Sequence, residues 1–357
     1  MSPVRPMLRS DIPALVQLRK RSFAESAQPS EEALARYFET IFLDSPFRDP
    51  ELPSLVYQDG PQVIGFLGVI SRPMVFREMP VRVAVSTQLM VDPGRRGTPG
   101  VELLRAFLAG GQDLSFADTA TTEASRLWER LGGALCPFPS LVWRRPLRPW
   151  RDAVGQRVRS LGGRVAARIA RPAFDLADRR AVRTRMDPAH LPAPRARAAP
   201  FDASVVVRLS SNLEGGPALR PVYEPETLSW LLEQAGRRPI GTLQRRLVVS
   251  DSGREIGWYA YFANPGGLSE VLQAGAAAGQ SGSVLDVLLQ DAHAAGAVAL
   301  EGRFDPLWSR EIAARYCTMR FAGAWTVAHA RRAELLETIA SGKAMLSRLE
   351  GEWWLNF

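Results

Sequence analysis

The segment Asp92-Pro-Gly-Arg-Arg-Gly-Thr-Pro-Gly100 packs three glycines and two arginines between an apolar run and a helical pattern. A strand that runs through such a turn into a helix aims unpaired backbone N–H groups and the positive helix end at one point. Phosphate oxygens are the natural occupant of that point. Gly94, Gly97 and Gly100 allow backbone conformations and close approach denied to larger residues, while Arg95 and Arg96 add charge. The same composition also describes a solvated connection, so the surrounding elements must decide. Proton transfer needs a different group, and the strand leading in, Val83-Ala-Val-Ser-Thr-Gln-Leu-Met90, carries no carboxylate. Ser86, Thr87 and Gln88 can order a water but are not strong bases at neutral pH. Glu78, in the turn before this strand, is the candidate carboxylate on that side.

The elements that would hold these residues are legible from periodicity. Val4-Arg-Pro reads as a strand, and Asp11 precedes a helix with Ile12, Leu15, Val16 and Leu18 on one side. A second helix starts at Ser30 and runs to about Phe42. Leu55 to Gln58 and Gln62 to Ile70 flank Asp59-Gly60 as a hairpin, and Val81 to Val91 is a third strand. A helix from about Val101, a strand at Leu114, a helix from Thr122 to Leu131 and a strand at Leu141-Val-Trp complete the order β-α-α-β-β-β-α-β-α-β.

After Trp150 the pattern changes. Residues 151–185 form a basic tract with Val154, Val158, Leu161, Val165 and Ile169 at helical spacing, followed by a Pro/Ala/Arg stretch to Pro200. A helix at Glu226, strands at Leu243, Glu255 and Leu268, and then helix, strand, helix, strand to Ala328 repeat the first order, as a divergent duplication would. The equivalent junction, Ala276-Ala-Ala-Gly-Gln-Ser-Gly-Ser283, has glycines but no arginine, so a second complete phosphate site is not expected. The fold class read from this is α/β: two mixed β-sheet domains flanked by helices, at residues 1–148 and 201–357, joined by a basic helical linker at 149–200.

Composition narrows the function classes. Between Arg144 and Arg197 there are 15 arginines against 4 aspartates, so the net charge of +8 is local and the rest of the chain is mildly acidic. An apolar stripe flanked by arginine suits either peripheral contact with an anionic membrane through residues 151–185 or packing across the two domains. Nucleic acid is disfavoured, because no aromatics interleave with the arginines and no reader motif is present. The longest apolar run, Val63 to Ile70, is far too short to cross a bilayer, and Met1 to Met7 lacks a secretory pattern, which predicts a cytoplasmic protein. Two cysteines in different halves and three scattered histidines predict neither a disulfide framework nor a metal site.

The loop with its flanks, Val91-Asp-Pro-Gly-Arg-Arg-Gly-Thr-Pro-Gly-Val-Glu-Leu-Leu104, resembles the acyl-CoA loop of the GNAT (GCN5-related N-acetyltransferase) family, and the resemblance extends over residues 3–146 through the opening strand, the Asp11 helix and Ala124-Ser-Arg-Leu-Trp-Glu-Arg-Leu-Gly132. It implies direct transfer of an acyl group from acetyl-CoA or another acyl-CoA to a small-molecule, sugar or peptide amine, with no metal. Leu89, Met90 and Val91 would run beside the pantetheine and polarise the thioester, and Arg95, Arg96, Gly97, Thr98, Gly100 and Val101 would hold the pyrophosphate. Ser86, Gln88 and Glu78 are the candidates for the acceptor side. Two departures stand out: Thr98 replaces a small residue of the loop pattern, and Trp128 replaces the family's tyrosine acid. They keep a second reading open, a non-catalytic tandem scaffold or CoA-binding sensor.

Overall fold

The computed structural model describes residues 3–23, 29–95, 97–153, 190–211 and 216–355. Arg96 lies outside these residues, and so does the basic tract beyond its first three positions, together with the membrane contact expected of it.

The first half runs β1 (Val4–Pro6), α1 (Ile12–Ser22), α2 (Glu31–Phe38), β2 (Leu55–Asp59), β3 (Gln62–Phe76), β4 (Met79–Val91), α3 (Thr98–Leu108), β5 (Leu114–Ala120), α4 (Thr122–Arg130), β6 (Ala134–Leu135) and β7 (Leu141–Pro146). This is the expected order with the short β6 added. The second half runs β8 (Ala196–Pro200), α5 (Ala203–Ser211), β9 (Leu219–Pro221), α6 (Pro225–Ala235), β10 (Thr242–Ser250), β11 (Glu255–Ala263), β12 (Leu268–Ala276), α7 (Ser281–Ala294), β13 (Ala299–Arg303), α8 (Ser309–Ala314), β14 (Thr318–Phe321), β15 (Trp325–Ala330) and α9 (Ala333–Ala340). The Pro/Ala/Arg stretch read as linker thus ends in a strand, because Ala196 to Pro200 pair with β10.

Local chemistry fixes the helix ends. The Ser30 hydroxyl accepts from Ala33 N at the start of α2, and Thr121 accepts from Ala124 N before α4. Asp11 occupies the position before α1, but its carboxylate accepts from Leu8 N and pairs with Arg5 at 2.8 Å rather than capping the helix. Ile12, Leu15, Val16 and Leu18 of α1 are buried, as their spacing requires.

The strands form two mixed sheets, ordered β1-β2-β3-β4-β5-β15-β6 and β14-β7-β13-β12-β11-β10-β8, with β9 added on β3. The halves therefore trade strands. β7 of the first half lies between β13 and β14 of the second, and β15 of the second lies between β5 and β6 of the first. The reading of Leu141-Val-Trp as the closing strand of its own sheet is corrected: it joins the other one, next to the edge strand. Trp143 packs in the second half's core, and its register partner is Gly302, where a Cβ would stand 2.7 Å from the indole. Glycine there leaves the space that the exchanged strand fills. The largest core belongs to both halves, joining Phe38, Phe66 and Phe116 to Leu231, Trp258 and Trp354. Two smaller cores lie under α3 and α4 and under α7.

Candidate functional site

β4 and β5 run parallel only from Val83↔Leu114 to Val85↔Phe116, and beyond that pair they part. On its other side β4 carries a bulge. Phe66 pairs with Met90 and Gly68 with Thr87, so Gln88 and Leu89 together face Leu67, and Gln88 takes a left-handed φ of 49°. A bulge of this kind bends the strand and frees backbone groups from the ladder. Met90 is buried, while Leu89 and Val91 are half-buried along the opening. The mouth of the cleft is the loop from Pro93 to Arg95 and the start of α3.

At that mouth the first amides of α3 have no intrahelical partner. Gly97 stands at the N-cap with φ 117° and nothing within 4 Å of where a Cβ would be, so the approach to the helix end is open. Thr98 is exposed at the first helical position, Gly100 is buried against Val91, and Val101 begins the intrahelical bonding by donating to Gly97 O at 3.4 Å. Arg95 is exposed and pairs with Asp59 at 2.5 Å.

The remaining predicted residues divide. The Gln88 amide donates to the Tyr37 hydroxyl at 2.5 Å, and its oxygen Oε1 is buried without a hydrogen-bond partner among the described residues. Ser86 is buried, but strand alternation puts it on the face opposite Thr87. Glu78 is not brought to the cleft at all. It sits in the turn at the far end of β4, ten residues and roughly 30 Å of strand from Gln88, where it pairs with Arg220 at 2.7 Å. Trp128 is a core residue, edge-on to Phe107 at 6.0 Å.

The carboxylate that the strand lacks arrives from the other end of the chain. Residues 345–355 thread between the two sheets, and Glu352 enters the gap between the parted strands. Thr119 N donates to its Oε1 at 3.3 Å, Thr87 lies beside it, and its own N–H donates to Asp118 at 2.6 Å. Burial, and then the charge of Asp118, push its carboxyl up to about 7. Gly351 leaves room for this entry, since a Cβ would lie 2.0 Å from Asp118 Oδ2. Neighbouring side chains anchor the segment on the second half. Glu350 accepts from the Tyr223 hydroxyl and from Gln273 Nε2 at 2.8 Å, and Arg348 pairs with Glu270 at 3.0 Å and Glu301 at 3.3 Å. Trp354 of the same segment is buried and meets Trp230 edge-on at 6.4 Å. Sequence reasoning could not have found Glu352, because nothing local distinguishes it from the charged residues around it.

The second half repeats the device without its mouth. β12 and β13 pair from Leu268↔Ala299 to Glu270↔Glu301 and then part, and β12 carries its own bulge at Leu272. At the start of α7, however, a Cβ on Gly282 would meet Glu311 Oε2 at 2.6 Å, and Arg315 donates to Gly282 O at 2.8 Å. The chain's own carboxylate stands where an anion would have to bind.

No protein-family model and no curated protein matches the chain. Solved structures do. A probable N-acyltransferase from Enterococcus faecalis V583, described as a conserved protein of unknown function, aligns with a TM-score of 0.60 at 12% identity over 92% of this chain and 72% of its own. A GCN5-related N-acetyltransferase from Anabaena variabilis ATCC 29413 aligns with a TM-score of 0.58 at 12% identity, over 92% and 73% of the two chains. Saccharomyces cerevisiae N-myristoyltransferase, solved with myristoyl-CoA, aligns at 0.50 and 12% identity over 91% and 79%. At such identities the likeness concerns architecture, and with the two parted, bulged strand pairs described above it identifies the chain as carrying the GNAT fold in two linked, strand-exchanged copies.

Proposed function

We propose that the chain is an acyl-CoA-dependent N-acyltransferase whose working site is the β4/β5 cleft of the first half, with acetyl-CoA as the simplest donor and a small-molecule, sugar or peptide amine as acceptor. The observation that carries this reading is a buried carboxylate, Glu352, set where the two strands part.

In this reading the donor's pyrophosphate rests on the open first turn of α3, on the amides of Gly97, Thr98 and Gly100 near Val101, with Arg95 and Arg96 supplying charge. Leu89, Met90 and Val91 line the pantetheine arm. Backbone N–H groups freed by the bulge polarise the thioester carbonyl, and because they are fixed they need no reorganisation as charge develops. Glu352, with its carboxyl near 7, takes a proton from the incoming ammonium directly or through one water. The freed lone pair forms the C–N bond as the C–S bond breaks, and the second amine proton passes to the departing sulfur. The Gln88 oxygen, unpartnered among the described residues, accepts an N–H of the acceptor in this reading, and the Tyr37 hydroxyl, bonded to the Gln88 amide, supports that role.

Calorimetry with acetyl-CoA and CoA tests the first step. Saturable binding is expected, and its absence at millimolar ligand would sink the proposal. Binding without turnover across amine, amino-sugar and peptide acceptors would instead favour a CoA-binding sensor.

A further inference from the structure

A cavity of about 330 Å³ opens between α2 and the turn that follows α6. Its floor is the Tyr37 ring with Trp354 and Leu355, and its rim carries Arg36, Arg237 and Arg238. Tyr37 ties the floor to the proposed reaction centre, because its hydroxyl receives the Gln88 amide at 2.5 Å from the bulge of β4. A molecule deep in this cavity would stand against Tyr37, one hydrogen bond from Gln88, and its outer part would face the rim.

The charge at the rim is one-sided. Arg36 is exposed and makes no ion pair among the described residues. Arg237 is 63% exposed and, among the described residues, pairs with Glu233 alone, itself 66% exposed, at 3.0 Å. A pair so open to water is worth little and yields readily to a better anion. Arg238 is held by the Trp353 carbonyl and stacks on the Trp353 ring at 4.0 Å, which fixes its guanidinium plane at the edge of the cavity. Guanidinium groups match carboxylates and phosphates through paired N–H donors, and a rim with three of them repels a polycationic acceptor.

We propose that this cavity binds a small molecule carrying a carboxylate or phosphate group, held by Arg36, Arg237 and Arg238 against Tyr37, whose bond to Gln88 couples the site to the proposed reaction centre. The inference rests on the acyltransferase reading for that coupling, but the anion site itself does not need turnover. The experiment is calorimetric binding of matched pairs to the full chain: glycine against glycinamide for the carboxylate, O-phosphoethanolamine against ethanolamine for the phosphate. Each member with the anionic group is compared with its partner lacking it, at matched salt, in the wild type, in Arg36→Gln, in Arg237→Gln and in the double variant, whose exposed side chains can change without disturbing the core. At least one anionic member should bind tenfold or more tightly than its partner, and each variant should weaken it about tenfold while CoA binding stays unchanged. Equal binding of members with and without the anionic group, or unchanged binding in the double variant, overturns the proposal even where CoA binds normally. Retained anion selectivity without CoA binding upholds the anion site and overturns the acyltransferase reading instead.

Discussion

Asp118 and Arg303 hold equivalent places in the two halves, each two residues beyond the last parallel pair of its strand, and they meet at 2.5 Å with almost no exposure. The parting of strands that opens each cleft also exposes these two positions to one another, so a single buried ion pair ties the clefts together. Removing one member leaves the other charge buried. Asp118→Asn or Arg303→Met should each cost about 3–5 kcal/mol, whereas replacing both with apolar residues should cost much less. Denaturant midpoints of the four proteins check this, and additive single losses would mean the pair is not coupled.

Glu352→Gln should lower kcat by about 10²–10⁴ with little change in KM for acetyl-CoA. In the wild type, activity should rise with pH and level off above about 7, where the carboxyl has ionised. Stability should move the other way. The folded carboxyl titrates near 7 against an ordinary 4.5, so its contribution is fully present below 4.5 and lost as pH rises through about 7. Thermal melts of wild type and variant between these limits should converge at low pH and separate at high pH, with the variant the more stable.

Gly351→Ala places a methyl group on the Asp118 carboxylate, 2.0 Å from Oδ2 in the native geometry. Something must shift, and overpacking of this kind costs about 1–3 kcal/mol. Activity should fall along with stability, because the same displacement moves Glu352. A fully active, fully stable variant would show that Glu352 need not stand where it does.

Strand exchange makes each half incomplete. Residues 1–148 alone would lack β15 beside β5 and would leave β7 without its sheet. The fragment should aggregate or associate rather than run as a folded monomer, since an unpaired apolar strand edge invites pairing with another chain. Size-exclusion chromatography with circular dichroism decides, and a stable monomer would show that β7 can return to its own sheet.

Arg95 pairs with Asp59 in competition with any phosphate at the α3 turn. Arg95→Gln should weaken CoA binding by about tenfold, as loss of a charge-assisted hydrogen bond does. Asp59→Asn should tighten it by up to about fivefold, the scale of an exposed ion pair. Opposite signs for the two substitutions are the diagnostic result, and calorimetry reads both.

The loop and its helix were legible because they are local. Gly97 must take a positive φ, Thr98 to Leu108 carry helical periodicity, and β4 alternates into the core, all within a stretch of sequence short enough to read. Glu78 was misplaced for the complementary reason. A carboxylate in a hairpin turn looks close to the strand it introduces, but strand rise carries it to the opposite end.

The amino-acid order by itself determined the elements, the bulk of their boundaries and the duplicated β-α-β pattern, since backbone geometry and side-chain periodicity act over a few residues at a time. Which sheet β7 and β15 join, and that Glu352 stands where β4 and β5 part, were decided only in the tertiary structure. Closing strands of similar apolar pattern can pair with either sheet, and the choice depends on contacts such as Trp143 over Gly302 that lie far apart in the chain. A buried carboxylate likewise owes its raised proton affinity to burial and to a neighbour assembled by folding, here Asp118, 234 residues away.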